Sequence, residues 1–288
     1  MIIAIASGKG GTGKTTVAVN LAEAFDREVQ LLDCDVEEPN AQLFLKGTPI
    51  GQEVASIAVP QIDESLCDGC GECGRFCEYH AIVSYGSKPL VFPEMCHGCG
   101  GCLKVCQRQA IRESDYRIGT VEIFQSGKIT LIQGKLDVGA TMAPPLIRTV
   151  KRKIDYKIPV ILDAPPGTSC PVITTIRAAD FVALVTEPTP FGLNDLKLAV
   201  ATVRELKIPF GVVINRAGSG DDRVNSYCSA EQIPVLLEIP DDRRIAEAYS
   251  RGELIIAALP EYRTLFEKLL LTISGKILIN PPPPIQEK

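Results

Sequence analysis

Two groups of residues in this 288-residue chain carry enough chemistry to define a site. The first is Gly8-Lys9-Gly10-Gly11-Thr12-Gly13-Lys14-Thr15-Thr16, which follows the apolar run Ile2–Ala6. A loop so rich in glycine can turn its backbone N–H groups inward around a polyphosphate, and a helix after it offers its positive end to the same anion. Lys14 is placed to reach the outer phosphates of a nucleotide, and the Thr15 hydroxyl to ligate Mg²⁺. A glycine-rich turn with an incidental lysine is the bland alternative. The apolar strand before the loop and the helix after it favour nucleotide binding.

The second group is cysteine. Of eleven cysteines, eight fall between Cys67 and Cys106, while Cys34, Cys170 and Cys228 stand apart. Cys67, Cys70, Cys73 and Cys77 are spaced as Cys-x₂-Cys-x₂-Cys-x₃-Cys, and Cys96, Cys99, Cys102 and Cys106 repeat that spacing. Each copy reaches Ala-Ile at the same offset, Ala81-Ile82 and Ala110-Ile111. Disulfides accompany export, and no export signal is visible, so clustered thiols point to metal. Paired Cys-x₂-Cys could hold zinc, but three thiolates at this spacing suit an iron cubane better. The motif resembles a bacterial ferredoxin with two [4Fe–4S] clusters. In that resemblance the fourth cysteine of each copy serves the other cluster. It pairs Cys67, Cys70 and Cys73 with Cys106, and Cys96, Cys99 and Cys102 with Cys77. The usual proline after the fourth cysteine is replaced by Glu78 and Gln107, and His97 lies beside the ligands without being one.

These residues need a scaffold. Apolar runs at Ile2–Ala6, Val29–Asp33, Val160–Asp163, Phe181–Thr186, Phe210–Asn215 and Val235–Ile239 read as strands. Amphipathic stretches at Thr15–Phe25, Pro145–Lys153, Leu193–Leu206, Asp241–Ser250 and Glu261–Thr272 read as helices between them. Strands apolar throughout and separated by helices imply an α/β fold, a doubly wound, mostly parallel sheet covered on both faces. Val121–Gln133 reads as a hairpin around Ser126-Gly127. The expected division is an ATPase domain over 1–60 and 115–276, an inserted ferredoxin-like α+β domain over 61–114, and a proline-rich tail over 277–288. A net charge of −5 lacks the footprint of a nucleic-acid binder. No apolar run approaches the roughly 20 residues of a membrane span, so a cytoplasmic location is expected.

Lys9, a second lysine inside the phosphate loop, resembles the deviant Walker A motif of the MinD/ParA, nitrogenase iron protein and Mrp superfamily of P-loop NTPases. The resemblance implies ATP, with Gly8, Gly10, Gly11, Thr12, Gly13, Lys14, Thr15 and Thr16 around its phosphates. It implies that Lys9 reaches across a dimer, a homodimer or a pairing with a related ATPase, to the partner's nucleotide. Asp35 then matches the residue that activates water, with Asp33 supporting Mg²⁺. Asp163 holds Mg²⁺ through a bound water, Gly167 senses the terminal phosphate, and Asn215 contacts adenine. Cys170 falls where the nitrogenase iron protein has a ligand to a bridging cluster; without a second such ligand, a small buried residue is the simpler expectation. The function expected is nucleotide-gated electron transfer to a redox partner. The alternative is an iron–sulfur carrier or metallocofactor-assembly factor with an assembly partner. Spatial positioning on a membrane lacks the basic amphipathic end that it needs.

Overall fold

The computed structural model describes residues 1–85 and 88–279, so most of the expected proline-rich tail lies outside the described residues. Eleven strands are described: β1 (Ile2–Ala6), β2 (Val29–Asp33), β3 (Thr48–Ile62), β4 (Ile82–Tyr85), β5 (Lys88–Val91), β6 (Ile111–Ser126), β7 (Ile129–Leu136), β8 (Val160–Asp163), β9 (Phe181–Thr186), β10 (Phe210–Ala217) and β11 (Val235–Pro240). Nine join one sheet in the order β11-β10-β9-β1-β8-β2-β7-β6-β3. From β11 to β7 every neighbouring pair is parallel. This is the doubly wound α/β fold expected.

The chain divides into two compact units. The first comprises Met1–Gln52, Val121–Lys135 and the residues from Ile147 onward. β1, β2, β8 and β9 are buried along their whole lengths, which is why their sequences are continuously apolar rather than alternating. Helices at Lys14–Ala24 and Pro190–Glu205 pack on them, and Arg263–Ile279 packs on the first of these helices and on β11. Phe181 and Phe266 are among the largest fully buried side chains. Phe266→Ala is expected to cost about 3–5 kcal/mol through lost burial and the cavity left behind. Denaturant unfolding would read this as a lower midpoint with an unchanged slope.

Unit two contains Glu53–Thr120 and Leu136–Leu146. Its short helices Glu72–Phe76 and Gly101–Val105 occupy the same place in each cysteine repeat, and they pack together. β4 and β5 form an antiparallel pair with Ile82 opposite Val91. The segment Leu136–Leu146, which follows the Val121–Lys135 excursion into unit one, is added to unit two, and no local signal announced this. The expected hairpin over Val121–Gln133 is the end of β6 turning into β7, whereas β3 and the part of β6 before Val121 went unread because their exposed positions break the apolar pattern.

Candidate functional site

In a parallel sheet the carboxyl ends of all strands lie on one edge, and loops from that edge build the site. Here β1 runs into Gly8–Thr16, β2 ends at Asp33, β8 ends at Asp163, and Glu187 directly follows β9. The phosphate loop owes its shape to glycine at two places. Gly13 has φ +92°, and an added Cβ would lie 2.4 Å from Asn215 Nδ2; at Gly8 a Cβ would meet the Asp195 carbonyl oxygen at 2.1 Å. Gly13 opens the helix Lys14–Ala24, whose first N–H groups receive no side-chain cap. Those uncapped N–H groups and the helix dipole make a fit for anionic phosphate.

A cavity of about 450 Å³ lies over this loop, lined by Gly10, Gly11, Gly13, Lys14, Thr15 and Thr16. Asp35, Asn215 and Arg216 also face it, and Asp241, Asp242, Ile245 and Tyr249 wall the remainder. Lys14 is buried within unit one. Asp163 is fully buried, and neither of its carboxylate oxygens keeps a hydrogen bond among the described residues. Burial first, then the neighbouring Asp33 charge, pushes its carboxyl well above the usual range. A buried, unsatisfied carboxylate beside Thr15 is the donor set that a hard cation such as Mg²⁺ satisfies. Asp35 rises to about 6, from burial and then from Asp33. A value near working pH suits a group that accepts a proton from water.

Three of the expected residues also make hydrogen bonds within the protein. Asp33 accepts from the backbone N–H groups of Asp35, Asn40 and Ala41 at 3.0–3.1 Å, so here it organises the loop after β2. Gly167 donates its N–H to the Ser7 carbonyl at 3.0 Å. Asn215 donates to the Thr12 carbonyl at 2.9 Å and thereby ties β10 to the phosphate loop. Lys9 does not line the cavity; its Nζ lies 3.3 Å from Glu187 Oε2. Arg216 Nη1 approaches the other oxygen of the same carboxylate at 2.8 Å. Sequence reasoning passed over Glu187, and the signal available was an acid at the carboxyl end of a buried strand, in Thr186-Glu187-Pro188. Cys170, expected to be buried, is exposed at the first position of the helix Cys170–Ile176.

In unit two the eight cysteines fall into two sets of four. Cys67, Cys70, Cys73 and Cys106 line one cavity, and Cys77, Cys96, Cys99 and Cys102 line another. Each set joins three cysteines of one copy to the last cysteine of the other. Among the described residues, no three His, Cys, Asp or Glu side chains converge tightly enough for a single metal ion. The Gly98 N–H points at Cys96 Sγ (3.4 Å) and the Ala110 N–H at Cys106 Sγ (3.3 Å), contacts that stabilise thiolate. Burial pushes the thiols of Cys73 and Cys96 up, and that of Cys102 to about 11. Thiols raised in this way stay protonated unless a cation lies among them. His97, read as a neighbour of the ligands, stacks on Tyr79.

A glycine-rich loop between a buried strand and an uncapped helix, with an unpaired acid at the next strand's end, defines a P-loop NTPase. The chain belongs to the CobQ/CobB/MinD/ParA nucleotide-binding family, whose profile matches residues 3–255. An uncharacterized protein of Methanocaldococcus jannaschii is 33% identical over 260 residues, covering 88% of this chain and 90% of the relative. An iron–sulfur cluster carrier protein of Aquifex aeolicus is 27% identical over 278 residues, 90% of this chain and 63% of that protein. The septum site-determining protein MinD of Pyrococcus horikoshii, solved with Mg-ADP, superposes with a TM-score of 0.59 over 99% of both chains at 21% identity, a likeness of fold. Among the described residues, no helix is long and apolar enough to cross a membrane.

Proposed function

We propose that this chain is a Mg²⁺-dependent ATPase that carries two [4Fe–4S] clusters and couples its nucleotide state to electron transfer through them. The observation that carries the reading is the division of eight cysteines into two crossed sets of four around separate cavities. Four thiolates for each cluster leave no iron corner open, which suits retention and electron passage. Cys67, Cys70, Cys73 and Cys106 hold one cluster, and Cys96, Cys99, Cys102 and Cys77 the other. The clusters supply one-electron redox chemistry, and Mg²⁺ neutralises phosphate charge.

Lys14 and the N–H groups of Gly10–Thr15 bind the phosphates, while Thr15 and Asp163 hold the metal. Asp35 takes the proton of the attacking water. Lys9 exchanges Glu187 for the nucleotide of a partner copy, so turnover requires a dimer. A second reading, delivery of a cluster to a metallocofactor-assembly partner, is favoured by the resemblance to the Aquifex aeolicus carrier protein.

Anaerobic reconstitution followed by potentiometric EPR tests both readings. About eight iron atoms per chain are expected from two cubanes. Site coupling of about 1–3 kcal/mol predicts that MgATP shifts the potential by roughly 40–130 mV. Loss of the clusters to an apo-acceptor, with potentials indifferent to nucleotide, would move the conclusion to delivery. A chain that takes up no iron would end both readings.

A further inference from the structure

One carboxylate in unit one holds two cations. Glu187, directly after β9, is only 8% exposed. Lys9 Nζ lies 3.3 Å from its Oε2, and Arg216 Nη1 lies 2.8 Å from its Oε1. Oε1 is buried and receives no aligned hydrogen bond among the described residues, so charge rather than fork geometry keeps Arg216 there. The two cations come from different places. Lys9 belongs to the phosphate loop, where the Ser7 hydroxyl donates to its carbonyl at 2.6 Å. Arg216 lies in β10, lines the nucleotide cavity and has a side chain more than half exposed. Its backbone N–H donates to Asn215 Oδ1 at 3.0 Å, and Asn215 in turn donates to the Thr12 carbonyl of the loop. β10 therefore meets the phosphate loop twice, directly at Thr12 and through Glu187 at Lys9.

Charge decides what this arrangement permits. A carboxylate this buried is destabilising when it is left without a partner. While Arg216 stays, Lys9 can depart and Glu187 still faces a cation. The departure also relieves the repulsion between the two cations. Without Arg216, Lys9 alone answers the carboxylate, and its departure strands a buried charge.

We propose that Arg216 is a positioning residue for ATP hydrolysis: by keeping Glu187 partnered it releases Lys9 to act across the dimer. It works through Glu187 and not on the nucleotide. This rests on the reading that Lys9 acts on a partner's nucleotide, and it goes further by assigning the release of Lys9 to Arg216.

Residue 216 sits at φ +55°, so lysine and glutamine bear the same backbone strain there as arginine, and comparing them reads the side chain alone. In the full chain, Arg216→Gln is expected to slow ATP hydrolysis by roughly 5- to 150-fold, the usual range for two coupled contacts, with ATP affinity unchanged. Arg216→Lys keeps most of the rate, because a point charge suffices where no fork is engaged. Glu187→Gln added to Arg216→Gln restores the rate, since an uncharged amide has no hold on Lys9. A double variant as slow as Arg216→Gln overturns the proposal, as does an Arg216→Lys equally slow. Normal hydrolysis by Arg216→Gln overturns it too, and so does a matching loss of ATP affinity, which would make Arg216 a nucleotide contact. Lys9→Ala measured beside these variants separates the two readings. If it hydrolyses normally, action across the dimer fails and this proposal with it; if it is inactive while Arg216→Gln is normal, this proposal alone fails.

Discussion

Lys9→Ala is expected to slow ATP hydrolysis by about 10³-fold or more while ATP still binds. The magnitude is that of a cation supplied in trans to the transition-state charge, as an arginine finger is. Binding survives because Lys14 and the loop N–H groups, not Lys9, line the nucleotide cavity. The fold survives as well. Glu187, which Lys9 contacts at 3.3 Å, keeps Arg216 at 2.8 Å, so the buried carboxylate is not orphaned. Asp35→Ala should share the phenotype, since it removes the proton acceptor rather than a phosphate contact. Single-turnover hydrolysis beside a binding titration separates the two quantities. Near-wild-type hydrolysis by Lys9→Ala would remove the trans role and with it the requirement for a dimer.

Asp163→Asn is expected to stabilise the nucleotide-free protein and to abolish its response to Mg²⁺. A fully buried carboxylate with no hydrogen-bond partner among the described residues destabilises its own fold, by about 1–3 kcal/mol for an unsatisfied group. The neutral amide relieves the charge and the repulsion from Asp33 at once. Thermal unfolding should rise by several degrees without ligand, while the further rise on adding MgATP should shrink to that of ATP alone. The pH dependence of the unaltered protein follows the same sign. Burial lifts Asp33 and Asp35 from the ordinary 3.8 to about 6. Their protonated forms favour the folded state, so that stability is full below about pH 4 and fades as pH climbs through about 6. A lower melting temperature for Asp163→Asn, at neutral pH and without nucleotide, would show the carboxylate to be satisfied after all.

Both effects arise from a site whose parts differed in legibility. The phosphate loop was readable because its chemistry is local: glycine, lysine and threonine at fixed offsets between a strand and a helix. Asp163 and Asp33 were readable as acids closing apolar strands, because a charged group at the end of a buried strand stands out against the apolar run before it. The division of labour among the carboxylates was not readable. Asp33 is spent on three backbone N–H groups contributed by residues up to Ala41, a matter of how the loop folds back. Glu187 escaped notice because its importance depends on Lys9, 178 positions earlier in the chain and brought near by the pairing of β1 with β9. Cys170 was misjudged because burial after a strand end depends on what packs above it.

By itself the sequence determined which side chains could bind phosphate and iron, and that parallel strands would carry the first set. Both follow from short-range spacing and from the apolar runs that full burial demands. Only the tertiary structure decided which acid holds Lys9 and which backbone groups occupy Asp33. The physical reason is common to these contacts: they depend on how the chain folds back on itself, which spacing along the sequence does not reveal until the core has closed.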